Sequence, residues 1–161
     1  MNQKEIIMND ISSQLNEHNK QEYPPMHTAE HLLNATMVKM FGCSRSNNAH
    51  IERKKSKCDY ELPSEPTAQQ IKEVEDAVNT IIQQNLAVTE EYTNQEAAKD
   101  IVDLGRLPDG ASDTLRLIRI GEYDVCACVG AHVKNTSEIG TFIISSHSYA
   151  DGVLRIRFKL K

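Results

Sequence analysis

Asp151-Gly-Val-Leu-Arg-Ile-Arg-Phe-Lys-Leu-Lys161 alternates strictly, with Leu154, Ile156, Phe158 and Leu160 apolar and Arg155, Arg157, Lys159 and Lys161 cationic. A period of two with one apolar side is the pattern of a strand lying on a core. Asp151-Gly152 is a two-residue hairpin signal, which pairs this strand antiparallel with residues 139–146. Further upstream, residues 123–129, 115–120 and 86–92 read as strands. Residues 95–100 form a short helical turn and 107–110 a loop. The period changes at Asn85. Before it, residues 64–85 form a helix with Thr67 as a candidate N-cap and Ile71, Val74, Val78, Ile81 and Ile82 on its buried face. Residues 49–62 are extended. Residues 26–41 form another helix, launched by Pro24-Pro25, stopped by Gly42 and striped by Met26, Ala29, Leu33, Met37 and Met40. A first helix over 3–19 carries Ile7, Ile11 and Leu15. Helices in front of strands, without βαβ alternation, predict an α+β fold with an antiparallel β-sheet packed against helices. The prolines divide the chain into a 1–22 helical appendage and a 23–161 domain.

A length of 161 residues suits one such domain plus its appendage. No apolar run approaches the roughly 20 residues of a membrane span, and residues 1–10 lack the apolar core of an export signal. A cytoplasmic protein with no membrane partner is the expectation. The net charge of −5 opposes non-specific coating of nucleic acid, yet the charge is uneven. Residues 61–100 hold nine acids against Lys72 and Lys99, while residues 45–57 hold five bases against Glu52. Arg155, Arg157, Lys159 and Lys161 on one strand face, with Arg53, Lys54, Lys55 and Lys57, suit contact with a phosphate backbone.

Two short motifs carry chemistry. His27-Thr-Ala-Glu-His31 puts two imidazoles one helical turn apart on one face, within reach of a single ion. Cys128-Val-Gly-Ala-His132 offers a thiolate and an imidazole at the same spacing, where a strand gives way to a loop. Imidazole and thiolate together make a borderline-soft set that selects Zn2+ in tetrahedral geometry. Cysteine beside histidine reads as metal or catalysis ahead of disulfide in this setting. Cys126, on the same strand face as Cys128, is the competing sulfur, whereas Cys43 and Cys58 read as structural thiols. The first motif also spells the H-x-x-E-H of inverted zinc peptidases, with Glu30 as base. A third reading is a zinc-stabilised RNA-binding module without catalysis. The plainest is exposed helix histidines and a core thiol.

His27-Thr-Ala-Glu-His-Leu-Leu33 resembles the H-T-A-x-H-L-L opening of the editing domain of alanyl-tRNA synthetase and its free-standing AlaX-type relatives. The threonyl-tRNA synthetase editing domain shares the H-x3-H. Cys126-Ala-Cys-Val-Gly-Ala-His-Val-Lys-Asn-Thr-Ser-Glu-Ile-Gly140 is similar to the second block of that family, and Gly152-Val-Leu-Arg-Ile156 to its closing G-x-x-R-I strand. The similarity runs from about His27 to Phe158. Ala131 departs from the usual threonine, and Val129 from a glycine.

The resemblance implies a threonyl/alanyl-tRNA synthetase editing-domain-like fold over 23–161. It implies a trans-editing enzyme that hydrolyses the ester joining a wrong amino acid to the acceptor end of a mischarged tRNA, with serine or glycine on alanine tRNA as the expected substrate. His27, His31, Cys128 and His132 match the family's zinc positions. Thr28 matches a threonine placed near the aminoacyl group, and Arg155 the arginine of the R-I pair. Four protein ligands fill a tetrahedral zinc. Either three side chains bind while His27 or His132 serves the water, or all four bind and the ion orients the substrate amine.

Overall fold

The structure is a computed structural model that describes residues 23–106 and 112–161. The predicted helix over 3–19, the 1–22 appendage and the loop at 107–110 lie outside the described residues.

Pro24 and Pro25 occupy the first turn of helix α1 (Pro24–Phe41), where the missing N–H groups would have had no helical partner. Gly42 ends it in the left-handed conformation with φ 66°, its N–H bonded to Val38 O at 3.0 Å. Helix α2 (Ala68–Gln83) opens on a capping box in which the Thr67 hydroxyl accepts from Gln70 N–H and the Gln70 side chain accepts from Thr67 N–H. This starts the helix four residues after Ser64. One turn of helix follows later as α3 (Gln95–Ala98), begun by Asn94 accepting from Ala97 N–H.

Among the described residues the strands divide into two antiparallel sheets. The four-stranded sheet has the order β1 (Asn48–His50), β2 (Ser56–Glu61), β7 (Val153–Leu160), β6 (Phe142–Ala150). The three-stranded sheet has the order β3 (Val88–Asn94), β4 (Thr114–Ile120), β5 (Asp124–Ala127). The extended stretch at 49–62 is thus a hairpin of two strands. The β6–β7 hairpin turns on Asp151 and Gly152, both with positive φ (51° and 77°), as a two-residue turn of primed type requires. Its first arm starts three residues later, and ends four later, than the sequence pattern indicates. A register shift between Ile144 and Ser146 breaks the alternation there, which blurs the bounds of the strand in a period-two reading.

Alternation on β7 holds: Leu154, Ile156 and Phe158 are fully buried, and Ile156 pairs with Cys58 while Leu154 pairs with Tyr60 on β2. These residues share one core with Met26, Leu33 and Met37 of α1 and with Ile71, Val74, Val78 and Ile82 of α2. Both helices therefore bury against the four-stranded sheet. Ala87 forms an isolated bridge with Asn135, and Val88 N–H donates to Lys134 O at 2.9 Å, linking the entry to β3 with the segment that follows β5. This closure brings the Cys128–His132 segment against the first turns of α1.

Candidate metal centre

His27, His31, Cys128 and His132 offer ligand atoms that all lie within 4.8 Å of one another. The two motifs the sequence singles out, a hundred residues apart, thus meet in space. His27 Nε2 lies 3.4 Å from Cys128 Sγ, and the His27 and His132 rings stack at 4.2 Å between centroids. The His31 ring stands nearly perpendicular to His27 (83°) and edge-on to His132 at 4.5 Å.

The meeting is held by backbone and hydroxyl contacts. His27 Nδ1 faces Ala131 O at 3.3 Å. Thr28 is fully buried, and its hydroxyl donates to Pro24 O (3.1 Å), accepts from Val133 N–H (3.2 Å) and lies 2.9 Å from His132 Nδ1. A hydroxyl has one proton and two lone pairs, so this count assigns the His132 ring proton to Nδ1. His132 Nε2 is left bare, buried and without a hydrogen-bond partner. From the other side Arg116 of β4 donates to Gly130 O at 2.6 Å and to Cys128 O at 3.3 Å, while Cys128 N–H returns a bond to Arg116 O at 3.1 Å.

The environment keeps two imidazoles neutral. Burial, reinforced by the neighbouring His132 and His27, holds His31 well below the usual imidazole range. Burial, then His27 and Arg116, pushes His132 down to about 2. Neutral imidazoles with bare nitrogens are the form that ligates a metal. An orphaned buried Nε2 at the meeting point of three rings and a sulfur is what a cation would satisfy. The donor set therefore fits a metal ion, and this group of residues can hold one. Cys126, the competing sulfur, is not part of the group. Burial pushes its thiol up to about 12, and its Sγ contacts Ala127 O at 3.5 Å.

A cleft of about 410 Å3, within the span of small-ligand sites, opens beside the centre. His27, His31 and Cys128 line it with Glu30, Asn34 and Arg45, whereas neither His132 nor Thr28 does. Thr28, expected near the aminoacyl group, has no exposed surface and supports His132 from behind. Glu30 Oε2 lies 3.7 Å from His27 Nε2. Asn34, one turn beyond His31 and buried, accepts from Tyr60 OH (2.7 Å) and Ser46 N–H (3.2 Å), tying α1 to β2. Its signal in the sequence is a polar residue on the apolar stripe of α1.

Arg155 donates to Asp59 through Nε at 2.8 Å and Nη2 at 2.9 Å, and that pairing holds the Asp59 carboxyl below its ordinary range. Its guanidinium is committed to a neighbouring strand. Lys57 lies 3.7 Å from the same carboxylate, and Arg53 sits 5.0 Å over the Tyr23 ring. Arg157, Lys159, Lys54 and Lys55 are exposed.

Residues 115–157 match the model of the family described as threonyl and alanyl tRNA synthetase second additional domain. The stretch runs from β4 to β7 and includes Cys128 and His132. Alignment with curated relatives extends further. The chain is 33% identical over 132 residues to the alanine–tRNA ligase of Ligilactobacillus salivarius, covering 81% of this chain and 15% of that protein. It is 32% identical over 153 residues to that of Blochmanniella floridana, covering 94% and 17% respectively. With the alanine–tRNA ligase of Treponema denticola it shares 32% over 137 residues, covering 84% and 23%. The chain thus spans less than a quarter of the length of these relatives. Among the described residues, no helix is long and apolar enough to cross a membrane.

Proposed function

This chain belongs to a family like that of the alanyl-tRNA synthetase editing domain, and from that premise we propose that it is an aminoacyl-tRNA deacylase of the cytoplasm. It hydrolyses the ester of mischarged tRNA, with serine or glycine on alanine tRNA as substrate. The observation that carries the reading is the convergence of His27, His31, Cys128 and His132 within 4.8 Å beside an open cleft. Of these four, His31, Cys128 and His132 would hold Zn2+ with a coordination position left open, and His27 would serve the water. A zinc ion in such a site polarises an ester carbonyl or lowers the pKa of a bound water toward about 7.

The chain's own residues divide the work by position. His132 lies behind the cleft, its Nδ1 proton tied to Thr28, and serves as a fixed donor. His27 lines the cleft with its side chain 13% exposed and a carboxylate, Glu30, 3.7 Å away. Of the two histidines the sequence leaves as candidates to serve the water, His27 therefore has the access. Thr28 holds the His132 tautomer from within the core. An aminoacyl ester is already activated, so placement of ester and water supplies much of the rate.

For the acceptor end of tRNA, Arg157, Lys159, Lys54 and Lys55 are the phosphate contacts in this reading, in place of the Asp59-bound Arg155. Ala49 of the edge strand β1 lines the cleft, so the cationic sheet and the cleft share a border. The test is incubation with seryl-, glycyl- and alanyl-tRNA(Ala), before and after chelator treatment. Release of serine or glycine, sparing of alanine, and loss of activity that zinc restores are expected. Turnover unaffected by metal removal rules out the zinc mechanism, and no release from any of the three esters rules out the deacylase.

A further inference from the structure

Resting on the metal reading above, we infer that Asp124, clamped by Arg45, is a positioning residue that sets the tautomer and orientation of His31. Asp124 opens β5, four residues before Cys128, and its side chain is only 6% exposed. Arg45 grips both its oxygens, Nη1 to Oδ1 at 2.7 Å and Nη2 to Oδ2 at 3.2 Å. The same Oδ2 lies 3.7 Å from His31 Nδ1, a nitrogen that is buried and has no hydrogen-bond partner. Asp124 does not belong to the four converging side chains, so its oxygen addresses His31 from outside that group.

A neutral imidazole carries its proton on one nitrogen and a lone pair on the other. With the Nδ1 proton directed at a carboxylate, Nε2 presents its lone pair to the centre. Ring movement of about half an ångström brings Nδ1 within hydrogen-bond range of Oδ2. Arg45 fixes the acid where a water-exposed carboxylate would swing away. The arrangement is economical in sequence: β5 carries the orienting acid and leads into the sulfur, while α1 and the turn that follows it carry the imidazole and the clamp. Carboxylates that orient metal-bound histidines typically change metal affinity by about 10–100-fold.

The alternative is that the Arg45–Asp124 pair only fastens the 42–47 loop to β5. Asp124→Asn and Arg45→Met separate the two. Zinc affinity is measured by competition with a chromophoric chelator, coordination by the visible spectrum of the cobalt-substituted protein, and fold by thermal melting. We expect Asp124→Asn to bind zinc about tenfold or more weakly with an altered cobalt spectrum, and Arg45→Met to shift both in the same direction by less. Should Asp124→Asn fail to fold, Arg45→Met carries the same comparison. Wild-type affinity and spectrum in a variant whose melting temperature alone falls would overturn the positioning role. A wild-type chain that takes up no zinc would overturn the metal reading itself, and this inference with it.

Discussion

Among the described residues the two long helices, α1 and α2, are of similar length and face the same core, yet they are built to opposite rules. α2 buries only Ile71, Val74, Val78 and Ile82, and turns Lys72 and Asp76 outward as an i,i+4 pair at 2.9 Å. α1 buries ten residues, among them Thr28, His31, Asn34 and Thr36. A buried polar group without a partner costs about 1–3 kcal/mol. Each of these four finds a role: Thr28 on His132, Asn34 on Tyr60 and Ser46, Thr36 on Leu32 O and Tyr123, and His31 in the four-residue group. Polar residues on a helix buried nearly all round are held by partners, in fold or in site, and those on an amphipathic surface helix face solvent.

Substitutions should follow that division. On the α1 side, His31→Ala or Cys128→Ala should abolish zinc uptake and lower deacylation at least a hundredfold, a factor worth about 2.7 kcal/mol of barrier, while far-UV dichroism stays native. Unfolding instead would make the centre a structural staple. On α2, Ile82→Ala should cost about 2–3 kcal/mol of stability by leaving a cavity, with deacylation per folded molecule unchanged; a specific loss of activity would break the distinction between the helices.

Acid tests the buried rings. His132 has its folded pKa depressed to about 2, so its contribution to stability is complete above the unfolded value of about 6.5 and is lost as pH falls toward the folded one. Metal-free protein should lose about 1.4 kcal/mol per pH unit below about 6 from this ring alone. His132→Gln should flatten that slope, and an equal slope in the variant would contradict the assignment. Thr67→Ala, which removes the α2 cap, should cost about 1 kcal/mol and nothing in rate. Glu30→Gln should alter deacylation only modestly, by less than about fivefold, whereas a peptidase-like general base in its place would make the loss 10²-fold or more. Two changes on the cationic sheet, Arg157→Ala with Lys159→Ala, should lower the salt slope of tRNA binding by about 2, leaving zinc affinity as it was.

Much of this was legible beforehand where local pattern governs. Helices α1 and α2, the β7 alternation and the Asp151-Gly152 turn follow from prolines, an N-cap threonine, a period of two and a residue pair tolerant of positive φ. The bounds of β6 differ from the sequence pattern because a register shift breaks the alternation on which that pattern depends. The division into two sheets was invisible, since strand partnership is decided by residues far apart in sequence. Cys126 and Cys128 are equivalent as letters. Only the turn of the chain beyond Ala127 separates the thiol that contacts Ala127 O from the one that faces three imidazoles.

By itself the sequence determined the inventory: two histidines one turn apart on a helix, and a cysteine and histidine at a strand's end, each a donor by its own chemistry. Tertiary structure decided allocation. It placed Thr28 behind His132 when a place at the substrate was expected, gave Arg155 to Asp59, and brought Arg45 and Asp124 to His31 from segments with no shared motif. Donor chemistry belongs to a single side chain and survives in any fold, whereas a partnership exists only once the chain has closed and withdrawn both groups from water.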